Sequence, residues 1–151
     1  MGSVADALVH ISRLVDRVFA DVAREQGLTP QQVHLLCLVD TGAIGMKELA
    51  EALDLEKSSL TGLVDRVARR GLITRIPDDH DRRACRVTVT DEGARVSAIC
   101  HREIIRRLEA LADHMADADK ETLAKLAAQL SDEPDAVAAP VHTGRIHTGQ
   151  K

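Results

Sequence analysis

The chain has 151 residues, 44% of them apolar and 29% charged, with one Phe, no Trp or Tyr, and a net charge of −4. That length suits one domain, and that balance excludes a chain disordered throughout and a core built on aromatic rings; Leu, Val, Ile and Ala must fill it, which suits packed helices. No apolar run reaches the roughly 18 residues of a membrane span, the N-terminus lacks the apolar segment of a secretory signal, and the scattered Cys37, Cys85 and Cys100 suit a reducing cytosol rather than a disulfide framework.

Residues 4–25 are predicted helical, because Leu8, Ile11, Leu14, Val15, Val18, Phe19 and Val22 recur at steps of three and four. Gly27 suits a left-handed helix end. Thr29-Pro30-Gln31-Gln32 then predicts a second start, with Thr29 as N-cap, Pro30 at the first helical position and Gln32 completing a capping box. Residues 33–39 are apolar on most sides and predict a helix central to the core. Gly42 and Gly45 mark a loop. Two short helices follow around the turn Asp54-Leu55-Glu56. Residues 46–53 place Met46, Leu49, Ala50 and Leu53 on one stripe. Residues 57–70 place Leu60, Leu63, Val64 and Val67 on one stripe and Ser58, Ser59, Thr61, Gly62, Asp65, Arg66 and Arg69 opposite, and Gly71 ends them. This pair describes a helix-turn-helix.

After Gly71 the period changes. Residues 73–75 and 86–90 read as strands around the charged turn Pro77-Asp78-Asp79-His80-Asp81-Arg82-Arg83, which predicts a hairpin with a charged tip. Thr90-Asp91-Glu92 starts a long helix, its acids where the helix dipole favours them. It is expected to run to about Met115, apolar at Val96, Ile99, Cys100, Ile104, Leu108, Leu111 and Met115. A last helix covers roughly 119–130 through Leu123, Leu126, Ala127 and Leu130, and residues 132–151 are predicted to be a flexible tail.

The charge is unevenly spread. Residues 57–86 hold eight Lys or Arg against four Asp, a local +4 within an acidic chain. Such a segment marks either a surface for a polyanion or a solvated charged face. A helix-turn-helix followed by a hairpin is a winged helix. An α-helix fits the major groove, where base edges carry a distinguishing donor–acceptor pattern, and short side chains early in it let the backbone approach bases and phosphates. A hairpin tip bearing Arg suits the minor groove, whose negative potential attracts guanidinium. Neighbouring acids suit bracing of that Arg by charge-assisted bonds.

The stretch Asp78-Asp79-His80-Asp81-Arg82-Arg83-Ala84, running into Val87-Thr88-Val89-Thr90-Asp91-Glu92-Gly93, resembles the wing signature of MarR-type regulators. Leu49-Ala50-Glu51-Ala52-Leu53, Ser58-Ser59-Leu60-Thr61 and Leu63-Val64-Asp65-Arg66-Val67 resemble that family's helix-turn-helix, and Gly71-Leu72-Ile73 stands where it leaves its recognition helix. The likeness covers roughly residues 5–130 in matching order; Asp79 departs, standing where the family often has Pro.

The resemblance implies a mainly α fold with a small β-hairpin wing. Residues 1–131 would form one domain, with the winged helix-turn-helix at about 33–90 and dimerisation helices at about 4–25 and 91–131. It implies a cytoplasmic homodimer on double-stranded DNA, reading an inverted repeat with half-sites about one helical turn apart. The expected role is a repressor of transcription relieved by a small-molecule effector. Ile104, Leu108, Leu111 and Met115, at steps of 4, 3 and 4, suit a helix–helix seam. By position Arg83 matches the family's wing-tip Arg and Asp81 the acid that braces it, with Arg82 and His80 expected near phosphates. Ser58, Ser59, Thr61 and Arg66 are expected in the major groove, with Lys57 and Arg69 on phosphates. An intramolecular salt bridge is the alternative for Arg82 and for Arg66, the latter with Asp65 or a neighbouring helix.

In this family an effector commonly binds between the dimerisation and DNA-binding parts. His10, Arg13, Arg17 and His34 are the candidates to meet it, against the alternative, which their residue types favour, of ordinary surface or interface roles. Cys37, within an apolar run, is expected to be an inert buried thiol, Cys85 to be more exposed and Cys100 to lie near the dimer seam. None carries the marks of a redox sensor. His10 with His34, or Cys100-His101 with Glu103 or His114, lack the tight spacing of a metal site, and the tail's His142-Thr143-Gly144 and His147-Thr148-Gly149 have no Cys beside them. No cofactor is expected. No phosphate loop, nucleophile elbow or HExxH points to an enzyme, and the acids at 78, 79 and 81 suit bracing of Arg better than a divalent cation. The competing readings are a redox- or zinc-responsive regulator of the same fold and a winged-helix module that docks a protein.

Overall fold

Two capping boxes fix where the first two helices begin. In the computed structural model, which describes residues 2–131, helix α1 (Val4–Glu25) starts at Ser3, whose hydroxyl accepts the Asp6 N–H while the Asp6 carboxylate accepts the Ser3 N–H. Helix α2 (Pro30–Asp40) starts at Thr29 in the same reciprocal way with Gln32, and Pro30 takes the position that needs no donor. Gly27 joins the two at φ +64. Helix α2 buries Val33, Leu35, Leu36 and Val39 and packs against both α1 and α5 (Asp91–Leu111), so it is the middle of the core, as its all-round apolar surface predicts. The expected tail at 132–151, with its two His-Thr-Gly triplets, lies outside the described residues.

The segment expected as a loop contains a strand. β1 (Ile44–Gly45) pairs antiparallel with β3 (Cys85–Val89), Ile44 opposite Val87 and Gly45 opposite Arg86. β3 also pairs with β2 (Ile73–Pro77), Ile73 opposite Val89 and Pro77 opposite Cys85, so the sheet order is β1-β3-β2. Helix α3 (Met46–Ala52) follows β1 without a break, and α4 (Lys57–Arg69) follows the turn at Asp54. The fold is mainly α with a small three-stranded antiparallel sheet, which makes α3, α4 and the hairpin a winged helix-turn-helix.

Helix α5 is one turn shorter than expected. It ends at Leu111, Ala112 caps it, and Met115 lies in the link to α6 (Asp117–Ser131). The stripe on α5 also divides differently from the expected seam. Ile104 is only 4% exposed within this single chain and belongs to the core, and Leu108 packs against that core. Among the described residues the exposed large apolar side chains are instead Ile105 and Leu111 of α5, Leu123, Leu126 and Leu130 of α6, and Val4, Leu8, Val9 and Ile11 of α1, with Ile76 apart on β2. A periodic stripe identifies a buried face but not whose surface covers it.

The winged helix meets α5 at one tight junction. Gly71, at φ +73, turns the chain out of α4. The Thr90 hydroxyl donates to the Gly71 carbonyl at 2.6 Å and accepts the Gly93 N–H at 3.0 Å, while the Leu72 carbonyl accepts the Thr90 N–H at 3.1 Å. A Cβ on Gly93 would stand 1.7 Å from the Leu72 carbonyl oxygen, a backbone atom with no rotamer to yield. Gly93→Ala should therefore destabilise the fold by about 1–3 kcal/mol or more, the scale of overpacking, read as a lower midpoint in chemical denaturation.

A charged network closes the other end of α5. Arg107 donates to both carboxylate oxygens of Glu25 on α1, at 2.8 and 2.7 Å, and to Glu103 at 2.6 Å, which Arg106 also meets at 2.6 Å. Arg106 and Arg107 hold the Glu103 carboxyl at about 2, well below its ordinary 4.5. A carboxyl with a depressed folded value stabilises the fold fully above 4.5, and that contribution is lost as pH falls towards 2. Acid titration of unfolding stability should show this loss, and Glu103→Gln should flatten it across that window.

Candidate nucleic-acid interface

Burial on one side of α4 decides what the other side presents. Leu60, Leu63, Val64 and Val67 turn inward, which leaves Lys57, Ser58, Ser59, Thr61, Arg66 and Arg69 exposed on the outer face. Thr61 donates its hydroxyl to the Lys57 carbonyl at 2.8 Å, leaving its oxygen as an acceptor. No side chain caps α4 at Glu56, so its first N–H groups are left for water or a phosphate.

The eight basic residues of the segment fall into two groups. Arg70 donates to the Gly27 carbonyl and Arg86 to the Ala43 carbonyl, and Arg75 pairs with Asp65 at 2.6 Å. These three serve the fold. Lys57, Arg66, Arg69, Arg82 and Arg83 are exposed and, among the described residues, take part in no ion pair. The salt-bridge alternative for Arg66 and Arg82 is thereby absent among the described residues; for Arg66, the Asp65 carboxylate is taken by Arg75. Adjacent residues on a helix diverge by about 100°, so Asp65 and Arg66 do not face each other.

The wing tip corrects one expectation. Asp81 does not hold the Arg83 guanidinium; its carboxylate accepts the Arg83 backbone N–H at 2.9 Å. Asp78 likewise accepts the N–H groups of His80 and Asp81, at 2.8 and 3.0 Å, and these two bonds hold its carboxyl below the usual carboxylate range. The acids shape the loop through its backbone. Arg82, Arg83 and His80 stand exposed on that frame.

The candidate effector residues are not assembled into one described site. His10, Arg13 and Arg17 share an exposed face of α1 at steps of three and four, whereas His34 is half-buried on α2 with its ring 4.8 Å from Phe19. Burial pushes the His34 pKa down, against the raising effect of Asp16. An open hollow of 620 Å³ lies elsewhere, between α5 and α6, lined by Glu109, Asp113, Lys120 and Leu123 among others. Cys37 and Cys85 are half-buried, and Cys100 belongs to the core rather than to an outer face. Burial pushes the Cys37 and Cys100 thiols up, away from the thiolate. Among the described residues no three His, Cys, Asp or Glu cluster as metal ligands would. No helix there is long and apolar enough to cross a membrane. Sequence reading missed Arg70 and Arg86 as structural residues, since carbonyl partners 43 positions away leave no local signal.

The MarR family model matches residues 28–85, from the end of the α1–α2 turn to the wing. The uncharacterized HTH-type transcriptional regulator YsmB of Bacillus subtilis is 30% identical over 114 residues, 75% of this chain and 76% of that one. The chain belongs to the MarR family. The HTH-type transcriptional repressor MdtR of Bacillus subtilis is 36% identical to it over 94 residues, covering 62% of this chain and 61% of MdtR. Wild-type MarR from E. coli, in its apo form, shares the fold with a TM-score of 0.78 at 23% identity, over 85% of this chain and 96% of that one. A MarR mutant from E. coli complexed with operator DNA matches with a TM-score of 0.66 at 25% identity, over 82% of this chain and 91% of that one. This MarR-family protein is accordingly a DNA-binding regulator of transcription and not an enzyme.

Arg83→Ala should weaken duplex binding by about 1–3 kcal/mol, the scale of one good groove contact. Its thermal midpoint should stay unchanged, because the guanidinium has no ion-pair partner among the described residues. Fluorescence anisotropy with a labelled duplex, paired with a melting curve, checks both.

Proposed function

We propose that this MarR-family chain is a cytoplasmic homodimeric repressor that reads an inverted repeat. Residues 1–131 act as one domain. Helix α4 enters the major groove with Ser58, Ser59, Thr61 and Arg66, and Lys57 and Arg69 meet phosphates. The wing places Arg83 in the minor groove, on a loop built by Asp81, with Arg82 and His80 near the backbone. The observation that carries this reading is the sorting of the basic residues within 57–86: among the described residues, those of this segment with neither an ion pair nor a carbonyl partner all lie on α4 and the wing tip. Five such cations give a steep loss of affinity with added salt, which a docked protein partner would not.

The exposed apolar side chains of α1, α5 and α6 support the dimer, since a second copy would cover them. The name of MdtR supports repression. A structure of NadR in complex with 4-hydroxyphenylacetate, 22% identical with a TM-score of 0.69, supports a small-molecule effector, for which His10, Arg13, Arg17 and His34 remain the candidate contacts. Such an effector acts by binding better to a dimer whose recognition helices are wrongly spaced.

Selection of bound duplexes from a random library at about physiological salt tests the reading. Enrichment of one inverted repeat is the expected result; binding without enrichment, or no binding, overturns it. Leu126→Asp should give a monomer by sedimentation and lose tight duplex binding, because the dimer would have to bury the new carboxylate. A dimer of unchanged affinity would remove α6 from the interface.

A further inference from the structure

Asp65 is the only acid in α4, and it sits half-exposed on a helix otherwise lined outside with hydroxyl and basic side chains. A carboxylate there opposes a polyanion, so its presence calls for a reason. Its partner is Arg75, ten residues on, at 2.6 Å. Between them the chain leaves α4 through Gly71 and enters β2, whose only buried residue is Ile73; Thr74, Arg75, Ile76 and Pro77 are all exposed. Beyond Ile73, therefore, no buried side chain fastens β2 to α4. Among the described residues, Asp65 with Arg75 makes the one side-chain hydrogen bond that joins them. Strand β2 leads directly to the tip that carries Arg82 and Arg83, and Arg75 stands opposite Val87 of the central strand.

We propose that Asp65 and Arg75 are positioning residues for DNA recognition: their ion pair sets the angle between α4 and the wing, so that both reach their grooves on one duplex together. In this role the pair acts through the residues it orients. It also neutralises the one acid on α4. The inference rests on the proposed docking of α4 and the wing, and its test separates the two.

The sign of the effect distinguishes positioning from simple electrostatics. Asp65→Ala removes a negative charge near the DNA, so Coulomb attraction alone makes every duplex bind more tightly. Loss of position does the opposite on a selected site only. The experiment measures the full chain, Asp65→Ala, Arg75→Ala and the double variant against two probes: the duplex that the unsubstituted chain selects most strongly, and a pool of random duplexes. For Asp65→Ala, affinity for the selected duplex should fall about tenfold, the scale of a lost groove contact, while affinity for the random pool is unchanged or tighter. The double variant should be no weaker than the weaker single, because partners in one interaction do not add. Arg75→Lys should keep most of the affinity, since Arg75 engages Asp65 through a single N–H donor. An exposed ion pair contributes little to stability, so the melting midpoints should agree, and Asp65→Asn, which keeps the side-chain shape, serves as the second variant at that position. Unchanged or tighter binding of the selected duplex by Asp65→Ala overturns the proposal, as do additive single effects. If Arg83→Ala also leaves that affinity unchanged, the docking of the wing itself fails; if Arg83→Ala weakens it and Asp65→Ala does not, only the role of the pair fails.

Discussion

The DNA-binding half of the molecule hangs on a backbone contact too close for a side chain. Where α5 begins, Gly93 lies against the Leu72 carbonyl, and Thr90 bonds Gly71 and Leu72, just past the end of α4. Overpacking limits of this kind cannot be relaxed by rotamer changes, since both sides are main chain. The exit of the recognition helix, the first turn of the long helix and the end of strand β3 therefore share one fixed point. The apolar core extends from there through α2, and the Glu25–Arg107–Glu103 network fastens the far end of α5 to α1.

Against that frame the basic residues divide their labour. Arg70 and Arg86 satisfy carbonyls of connecting segments that the fold would otherwise leave to water, and Arg75 satisfies an acid. These contacts hold the α1–α2 turn, β1 and β2 in place. The remaining cations of that segment point outward, and three of its four acids are engaged: Asp65 by Arg75, Asp78 and Asp81 by backbone N–H groups. Net charge of the whole chain says little about such a surface. The arrangement of pairs decides where positive charge is left over.

What was legible in the sequence was what is settled within a few residues. The capping boxes at Ser3 and Thr29 span three residues, and Gly27 and Gly71 mark helix ends by a conformation that L side chains rarely adopt. The box at Thr29 was read from Gln32; the one at Ser3 went unread. The outer face of α4 followed from its period alone. Three features did not follow. β1 is two residues long and carries no alternation to detect. Helix α5 lacks a terminal Gly, so nothing local marked its end at Leu111. Ile104 shares a stripe with Leu111, yet one is core and the other exposed, because the turn of the helix is local and its neighbours are not. The Asp65–Arg75 pair leaves no local signal either, because its partners meet across the turn at Gly71.

β1 has a further consequence. It passes straight into α3, and among the described residues it pairs with the central strand of the wing alone, where Arg86 also binds the carbonyl just before it. The helix-turn-helix and the hairpin are thus stitched together at both ends, once through α4 and β2 and once through α3 and β3. For groove docking of the proposed kind, these ties together with the Asp65–Arg75 pair restrict how far the two elements can adjust to each duplex. Part of the adjustment then falls to the duplex. Base steps that narrow or bend easily then contribute to selection at positions no side chain reaches, and any signal that loosens the grip has to swing each reading head as a whole.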